Sequence, residues 1–513
     1  MDCFLGIDAG TSGIKAMIID GTGKVCGTGF HECDITTPQP GWVEQNPLDW
    51  WAACKKAVQQ AVKNSGCGSD VKSIGFSGQM QGSTLMDKNM QPVRNCLLWL
   101  DQRAVREVTD IEQLISAEEM LSTTANYCLN SFWAPKLLWV KKHEPEAFDR
   151  IHKVLFTKDY LRYMMTGVVA AEVSDASLSF LLDVPQRKWA YNIFDKLSLP
   201  KDIVPELLVE SQEVVGTLKA DVAAELGLPA GIPVAAGGGD QPVSGVGTNI
   251  IKEGIIGTAI GTSGVVFGCT DEPLIDKQKR ALYSMAHAVP EKWCFLGLVL
   301  TAGGAFKWLR NTFFASERDA LAAQGKDVYD MMTALASQTS PGSEGLTFLP
   351  YLNGEKTPIS DADARGVFFG LSVRHDRSHI CRSVMEGVTF ALRDTIEICR
   401  EFGTTVSEVR ATGGGAKSQL WRQMQADIYN ANIITMNMEE GPAAGAAILA
   451  AVGAGYFPTV QDACDALLKV SSVTEPVTEN VKRYEDYYQI YRELYTANKD
   501  VFAKQARIVE KYL

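Results

Sequence analysis

Gly6-Ile-Asp-Ala-Gly-Thr-Ser-Gly13 sets an apolar strand, a carboxylate and a glycine-bounded turn in direct succession, and Ile260-Gly-Thr-Ser-Gly264 repeats the turn near the middle of the 513-residue chain. Each copy lies between two apolar runs. Phe4–Asp8 and Lys15–Ile19 flank the first; Ile255–Ile260 and Val265–Gly268 flank the second. Short apolar runs broken by a Gly-rich turn read as hairpin strands. A third strand follows in each half, at Lys24–Phe30 and Lys292–Leu298. The matched order points to an ancient duplication. It predicts two α/β domains of similar size, 1–246 and 247–513, with the seam near Gly245–Asn249. They would face each other across a cleft, each sending one turn into it.

Further elements follow from local signals. Asn46-Pro47 has the form of an N-cap and a first-turn proline. It opens a helix carrying Trp50, Trp51, Cys54, Ala57 and Val58 on one face and ending near Gly66. Trp50-Trp51 fits core or interface better than a ligand shelf. Val71–Ser77 reads as a buried strand. The stretch Asp110–Tyr191 reads as mainly helical, with Thr157 capping a helix that Gly167 stops. Ile232–Ala236 and Val406–Thr412 read as strands, each running into three glycines, Gly237–Gly239 and Gly413–Gly415. Helices are predicted at Gly303–Phe314, Val328–Ser337, after Asp376 as far as Phe402, and from Ser418. Pro442–Val452 is rich in small residues and suits a helix lying close to its neighbour. The charged, Tyr-rich stretch Asn480–Leu513 reads as a surface helix.

Composition excludes some partners. Sixty-one acidic residues against 49 Lys and Arg leave a net charge of −12. A nucleic-acid or anionic-membrane surface needs massed Lys and Arg, so neither is expected. One small phosphorylated ligand stays compatible, because backbone N–H groups hold phosphate without net positive charge. The 12 cysteines contain no C-x-x-C pair and read as free thiols of a reducing compartment. The N-terminus has no basic region before an apolar run, and no uncharged stretch is long enough for a membrane helix. The expectation is a cytoplasmic protein. The six histidines show no metal-ligand spacing.

Glycines in the two turns permit backbone N–H groups to converge on an anion, and Thr and Ser hydroxyls add donors. Neither turn is G-x-x-x-x-G-K-[ST] nor G-x-G-x-x-G, which disfavours a P-loop or a dinucleotide fold. Gly413–Gly415 adds a third cluster between a strand and a helix start. Asp8 ends the first strand, where Asp is disfavoured. Asp240 follows Gly237-Gly-Gly and reads either as a catalytic carboxylate or as an N-cap. Phosphoryl transfer needs one carboxylate near hydrated Mg²⁺ and another to accept the proton of the attacking hydroxyl.

At these residues the chain resembles the FGGY carbohydrate kinases. Trp42-Val-Glu-Gln45, Ser77-Gly-Gln-Met80, Leu98-Trp-Leu-Asp-Gln-Arg103, Lys158-Asp-Tyr-Leu161 and Phe348-Leu-Pro-Tyr-Leu-Asn-Gly-Glu355 add to the match, which spans nearly the whole sequence. The resemblance implies two ribonuclease-H-like domains of the actin and hexokinase class, with a sugar and ATP in the cleft. It implies Asp240 as general base and Asp8 near Mg²⁺ and the phosphates, holding the ion through water. It puts Gly10, Thr11, Ser12, Gly261, Thr262 and Ser263 around the phosphates, with Lys15, Gly303 and Ser418 in the same set, and Gly414 and Gly415 beside the nucleotide. Sugar recognition would fall on Met80, Gln81, Trp99, Asp101, Asp240 and Gln241.

The implied reaction is transfer from ATP to a hydroxyl of a small ketose, D-xylulose at O5 foremost. Other pentuloses, tetruloses and polyols are alternatives, as is a non-enzymatic ATP-binding protein of the same fold. Three positions depart from the pattern usual for that sugar: Gln81 stands where a His is common, Trp133 replaces a small residue, and Gln241 follows the base where Asn is common. Gln81 keeps hydrogen-bonding capacity but loses a titratable imidazole. Family members are often dimers, and a homodimer is compatible with the sequence without being fixed by any residue in it.

Overall fold

The strand Cys3–Gly10 (β1) is apolar on both faces. Cys3, Leu5, Ile7 and Ala9 join one buried cluster, and Phe4 joins another on the opposite side. Period-two alternation in a strand sends successive side chains to opposite faces, so a continuous apolar run marks a sheet covered on both. The computed structural model of the chain describes residues 2–278, 281–438 and 440–512.

The first sheet contains β1, Gly13–Asp20 (β2), Val25–Glu32 (β3), Val71–Gly78 (β4), Val214–Thr217 (β5) and Pro233–Ala235 (β6), in the order β5-β6-β4-β1-β2-β3. The second contains Ile255–Ile260 (β7), Gly264–Thr270 (β8), Tyr283–Ala286 (β9), Trp293–Val299 (β10), Glu408–Gly413 (β11), Asn432–Met436 (β12) and Val470–Thr474 (β13), in the order β9-β10-β8-β7-β11-β12-β13. In both, the first hairpin is antiparallel and its first strand pairs in parallel with a strand from much later in the half. The two halves therefore match in strand order and strand sense around their first hairpins. The strands β5, β9, β12 and β13 have no counterpart in the sequence-based reading.

Helix Pro47–Ser65 (α1) covers one face of the first sheet. Its N-cap Asn46 accepts from Leu48 N, and Trp50, Cys54, Ala57 and Val58 are buried beneath it while Trp51 is half-buried. Trp133–His143 (α2), Thr157–Thr166 (α3) and Asp240–Gly247 (α4) follow. In the second half come Gly303–Phe313 (α5), Arg377–Glu401 (α6), Gln419–Tyr429 (α7), Gly441–Gly453 (α8) and Thr478–Tyr512 (α9).

Helix α8 covers the other face of the first sheet, although it lies late in the chain. A Cβ on Gly6 or Gly75 would overlap Ala443 O or Ala446 O, so the helix backbone rests directly on the strands. Ser73 Oγ donates to Ala450 O at 2.9 Å across this contact. On its other flank α8 meets α4, where a Cβ on Gly247 or Gly445 would overlap Gly441 O or Val243 O. The small-residue helix anticipated from sequence thus has two close neighbours.

Three local expectations are corrected. Phe156, not Thr157, holds the N-cap position of α3, and no side chain caps it. The stretch Asp110–Tyr191 also carries short strands, at Lys153–Leu155, Ala171–Glu172, Leu182–Asp183 and Lys188–Trp189. The C-terminal helix is not merely superficial: Tyr484, Tyr488 and Tyr491 are buried at helical spacing, with Tyr484 Oη donating to Glu386 and Tyr488 Oη to Asp394. Leu513 lies outside the described residues. No disulfide joins the 12 cysteines. Among the described residues no helix is long and apolar enough to cross a membrane.

The Gly75 contact is with helix backbone, which cannot rotate away. Gly75→Val is expected to cost about 3 kcal/mol, at the upper end for overpacking, and to lower Tm by about 3–6 °C in a scanning-calorimetry trace. Gly21→Ala, with its nearest neighbour atom at 3.8 Å, is the control and should leave Tm in place. Equal melting of both variants would show that α8 does not press on the sheet.

Candidate active site

Strand pairing brings the two candidate carboxylates together. Asp8 lies opposite Ser77 of β4, and Gly238 pairs with Ser77 from the other side. Gly237 has φ +73° and a Cβ there would overlap Phe76 O, so glycine is required where the chain leaves β6 and turns along β4. Three residues on, Asp240 emerges at the start of α4. Gly239 occupies the N-cap position and Asp240 is the first helical residue, so the N-cap reading of Asp240 is set aside.

Both residues keep some exposure, yet the cleft walls enclose their carboxyl groups. Burial, and then the negative charge of Asp8, push Asp240 up to about 7, with the Gln241 amides opposing. Burial raises Asp8 to about 6; the hydrogen bond from Ser77 Oγ to its Oδ1, 2.8 Å, opposes this, Glu440 adds repulsion and Lys15 offsets it. Lys15 itself forms an ion pair with Glu440, the residue before α8. Among the predicted phosphate ligands, Lys15 is thus engaged across the cleft root.

Asp8 Oδ2 faces the first turn, 3.7 Å from where a Cβ on Gly10 would sit. Thr11 ties this turn to the sugar side: Trp99 Nε1 donates to Thr11 Oγ1 at 3.0 Å, Thr11 Oγ1 donates to Gln79 Oε1 at 2.9 Å, and Gln45 Nε2 donates to Thr11 O at 2.8 Å. Ser12 is exposed. Met80 packs its thioether against Gly239, beside Asp240, where a Cβ would come within 2.8 Å of Sδ. Gln81 adopts φ +67°, with its N donating to Asp175 Oδ1 at 3.4 Å. Asp101 is fully buried, and its oxygens accept from Arg103 Nε and Nη2 at 2.8 Å and from Val43 N at 2.7 Å. It anchors the Trp99 loop and presents no free oxygen. Gln241 lines a small cavity of about 30 Å³ with Ser244, Thr258 and Arg410, at the seam between the halves.

The second turn opens on a larger cavity of about 640 Å³. Gly261, Thr262, Gly303, Gly414, Gly415 and Ser418 all line it, together with Ile260. Thr262 O accepts from Ala302 N and Gly304 N, and a Cβ on Gly303 would overlap Gly261 O, so α5 starts directly against the turn. Ser263 is half-buried, with its O accepting from Gly261 N. Ser418 caps α7 through Trp421 N. Size and polarity suit a nucleotide.

Comparisons with known proteins agree with this architecture. The profile of the FGGY family of carbohydrate kinases, N-terminal domain, matches residues 3–247, and that of the C-terminal domain matches residues 258–454. The chain belongs to the FGGY family of carbohydrate kinases. A xylulose kinase of Staphylococcus epidermidis is 38% identical over 500 residues, covering 97% of each chain. The crystal structure of a xyloylose kinase from Brucella ovis aligns with a TM-score of 0.87 and 34% identity, over 97% of this chain and 100% of that one. A gluconate kinase from Lactobacillus acidophilus aligns at 0.89 with 25% identity, over 98% and 99%.

Several parts of this FGGY kinase's site escaped the sequence reading. Gln45 and Gln79, quoted only as motif letters, form a buried relay with Trp50 and Thr11. Lys136 is fully buried with no carboxylate in contact, donates to Gln81 O at 3.0 Å and Leu97 O at 3.3 Å, and is pushed down to about 7 by burial. Arg162 Nη1 donates to Ala236 O at 2.9 Å and Ser174 Oγ accepts from Gly239 N at 3.1 Å, holding the loop before Asp240 from behind. Glu355 Oε1 accepts from Leu300 N, steadying the lead-in to Gly303. Phe306, Lys307 and Tyr329 add to the nucleotide cavity. Polar residues placed in an apolar stretch, as at Gln45 and Gln79, were the available signal.

With aspartate carboxyls ¹³C-labelled, the ligand-free protein should show Asp240 titrating near pH 7. Removing the Asp8 charge with Asp8→Asn should move that titration to lower pH. An Asp240 titration that ignores Asp8→Asn would break the coupling described here.

Proposed function

We propose that this FGGY kinase phosphorylates D-xylulose at O5, with ATP as donor. The observation that carries the reading is the enclosed carboxyl of Asp240, next in the chain to the Gly239–Met80 contact and close enough to Asp8 to feel its charge. Near-full-length similarity to proteins named xylulose kinase supports the choice of sugar.

In this reading the sugar sits against Met80, Gln81 and Trp99, with its terminal hydroxyl at Asp240. The ionised Asp240 orients that hydroxyl and takes its proton as the oxygen attacks the γ-phosphorus. Its raised position, near neutral pH, suits a base that must both accept a proton and release it. The phosphates lie between the two turns, where backbone N–H groups and the Thr262 hydroxyl meet their oxygens, while the Thr11 hydroxyl stays committed to Gln79. The adenosine end occupies the cavity beside Gly414 and Gly415.

Asp8 fits a Mg²⁺ site by its donor chemistry: Oδ1 is held by Ser77, while Oδ2 is turned to the phosphate turn. Mg²⁺ there would be held by Asp8 through water and would neutralise charge on the phosphate oxygens. Closing the cleft excludes water, which favours transfer to sugar over hydrolysis. Twelve free thiols fit the reducing cytoplasm.

Coupled ADP release over a panel of D-xylulose, D-ribulose, L-xylulose, D-gluconate and glycerol tests the substrate. The highest kcat/KM is expected for D-xylulose; a higher value for another member would replace it. Asp240→Asn should lower kcat by about 10²–10⁴-fold with the KM for ATP little changed. Near-normal turnover in that variant would remove Asp240 from the role of base.

A further inference from the structure

At the end of the first sheet opposite the first turn, three thiols converge. Cys3 opens β1, Cys26 lies at the start of β3, and Cys67 follows α1, yet their Sγ atoms all lie within 4.8 Å of one another. Local structure explains the meeting. Cys3 and Cys26 face the same side of the sheet, beneath α1. Gly66 ends α1 in the left-handed conformation at φ +65°, its N donating to Val62 O, and this turn delivers Cys67 over that side. The three ligands thus come from two strands and a capped helix end, which hold them without further folding.

We propose that Cys3, Cys26 and Cys67 form a binding site for a soft, thiophilic d¹⁰ cation, Zn²⁺ or Cu(I). Sulfur donors select these ions over Mg²⁺ and Ca²⁺. A Zn–S bond of about 2.3 Å in tetrahedral geometry separates sulfurs by about 3.8 Å, so closure from the observed spacing needs side-chain adjustments of about 1 Å. Cys3 is buried, while Cys26 and Cys67 are half-buried, which leaves an entry path. The carboxylates of Asp70, near Cys3, and Asp20, near Cys26, add negative potential that favours a cation. Binding displaces the three S–H protons to solvent, and with Zn²⁺ a water completes the fourth position.

The site is remote from catalysis. Cys3 stands seven residues before Gly10 along β1, about 23 Å from the phosphate turn at strand rise. Its occupancy is separate from the sugar reading, which survives if the site fails.

The full chain, purified anaerobically, is titrated with Cd²⁺ as spectroscopic probe and with Zn²⁺ and Cu(I) in separate arms against chromophoric competitors. One equivalent of Cd²⁺ should give a sulfur-to-cadmium charge-transfer band, and either Zn²⁺ or Cu(I) should abolish it. Cys26→Ser and Cys67→Ser should each weaken binding beyond the roughly 10–100-fold that loss of an outer-shell partner costs. Cys33→Ser, outside the cluster, should bind as the parent does. Sugar-dependent ADP release should be the same in all. Circular dichroism of the metal-free variants shows whether they fold, and Cys26→Ala replaces any that does not. Absence of the band in the parent chain, equal affinity in the Cys26 and Cys67 variants, or a Cys26–Cys67 disulfide in the mass spectrum of the anaerobic protein would each overturn the proposal.

Discussion

Backbone-to-backbone contact between α8, the first sheet and α4 is the constraint on which the rest of the molecule depends. It requires the absence of side chains at Gly6, Gly75, Gly247 and Gly445. Helix α4 starts with Asp240, and the residue before α8 is Glu440, paired with Lys15 on the strand next to Asp8. Any shift of α8 therefore acts on both carboxylates at once. Close approach without intervening side chains also leaves little room for lateral adjustment, because the interior packs at crystal-like density.

The recurrent turn was the most legible part of the fold. Gly-Thr-Ser-Gly between apolar runs identified both hairpins, while the order and sense of their neighbours appeared only in the structure. Caps written in the sequence were also accurate: Asn46 before Pro47, Asp376 at the head of α6, and Ser418 before α7 each accept from the helix they open. Thr157 misled because a residue favoured at caps sat one place inside the helix. The partition of the sheet faces was not legible, since nothing in Gly441–Gly453 states which sheet it will cover. Pairing between elements hundreds of residues apart is set by packing rather than local preference.

The site shows the same division. Residues in turns are the ones the structure brings together, since one cavity gathers Gly261, Gly303, Gly414 and Ser418. Residues reached through buried networks did not declare themselves. Asp101 looked like a sugar ligand and is instead clamped by Arg103, Gln45 and Gln79 had appeared only as letters in a motif, and Lys136 had not been singled out. Such groups are visible only when their partners are, because a buried polar atom is defined by the bond it makes. The acidic excess follows a similar logic: the surface carries it, while inside the cleft single carboxylates are set against Ser, Lys and backbone amides.

The late position of α8 has a consequence for how the chain is made. After residue 247 leaves the ribosome, about 200 residues must still be added before α8 exists, which takes about 10–40 s at ordinary elongation rates. For that interval Phe4, Met17 and Ile19 have no covering helix, because their cluster is completed by Ala443–Ala451. The nascent first half is thus an open sandwich with an apolar face turned to solvent, and a trigger for chaperone capture is built into the order of the gene rather than into any one residue.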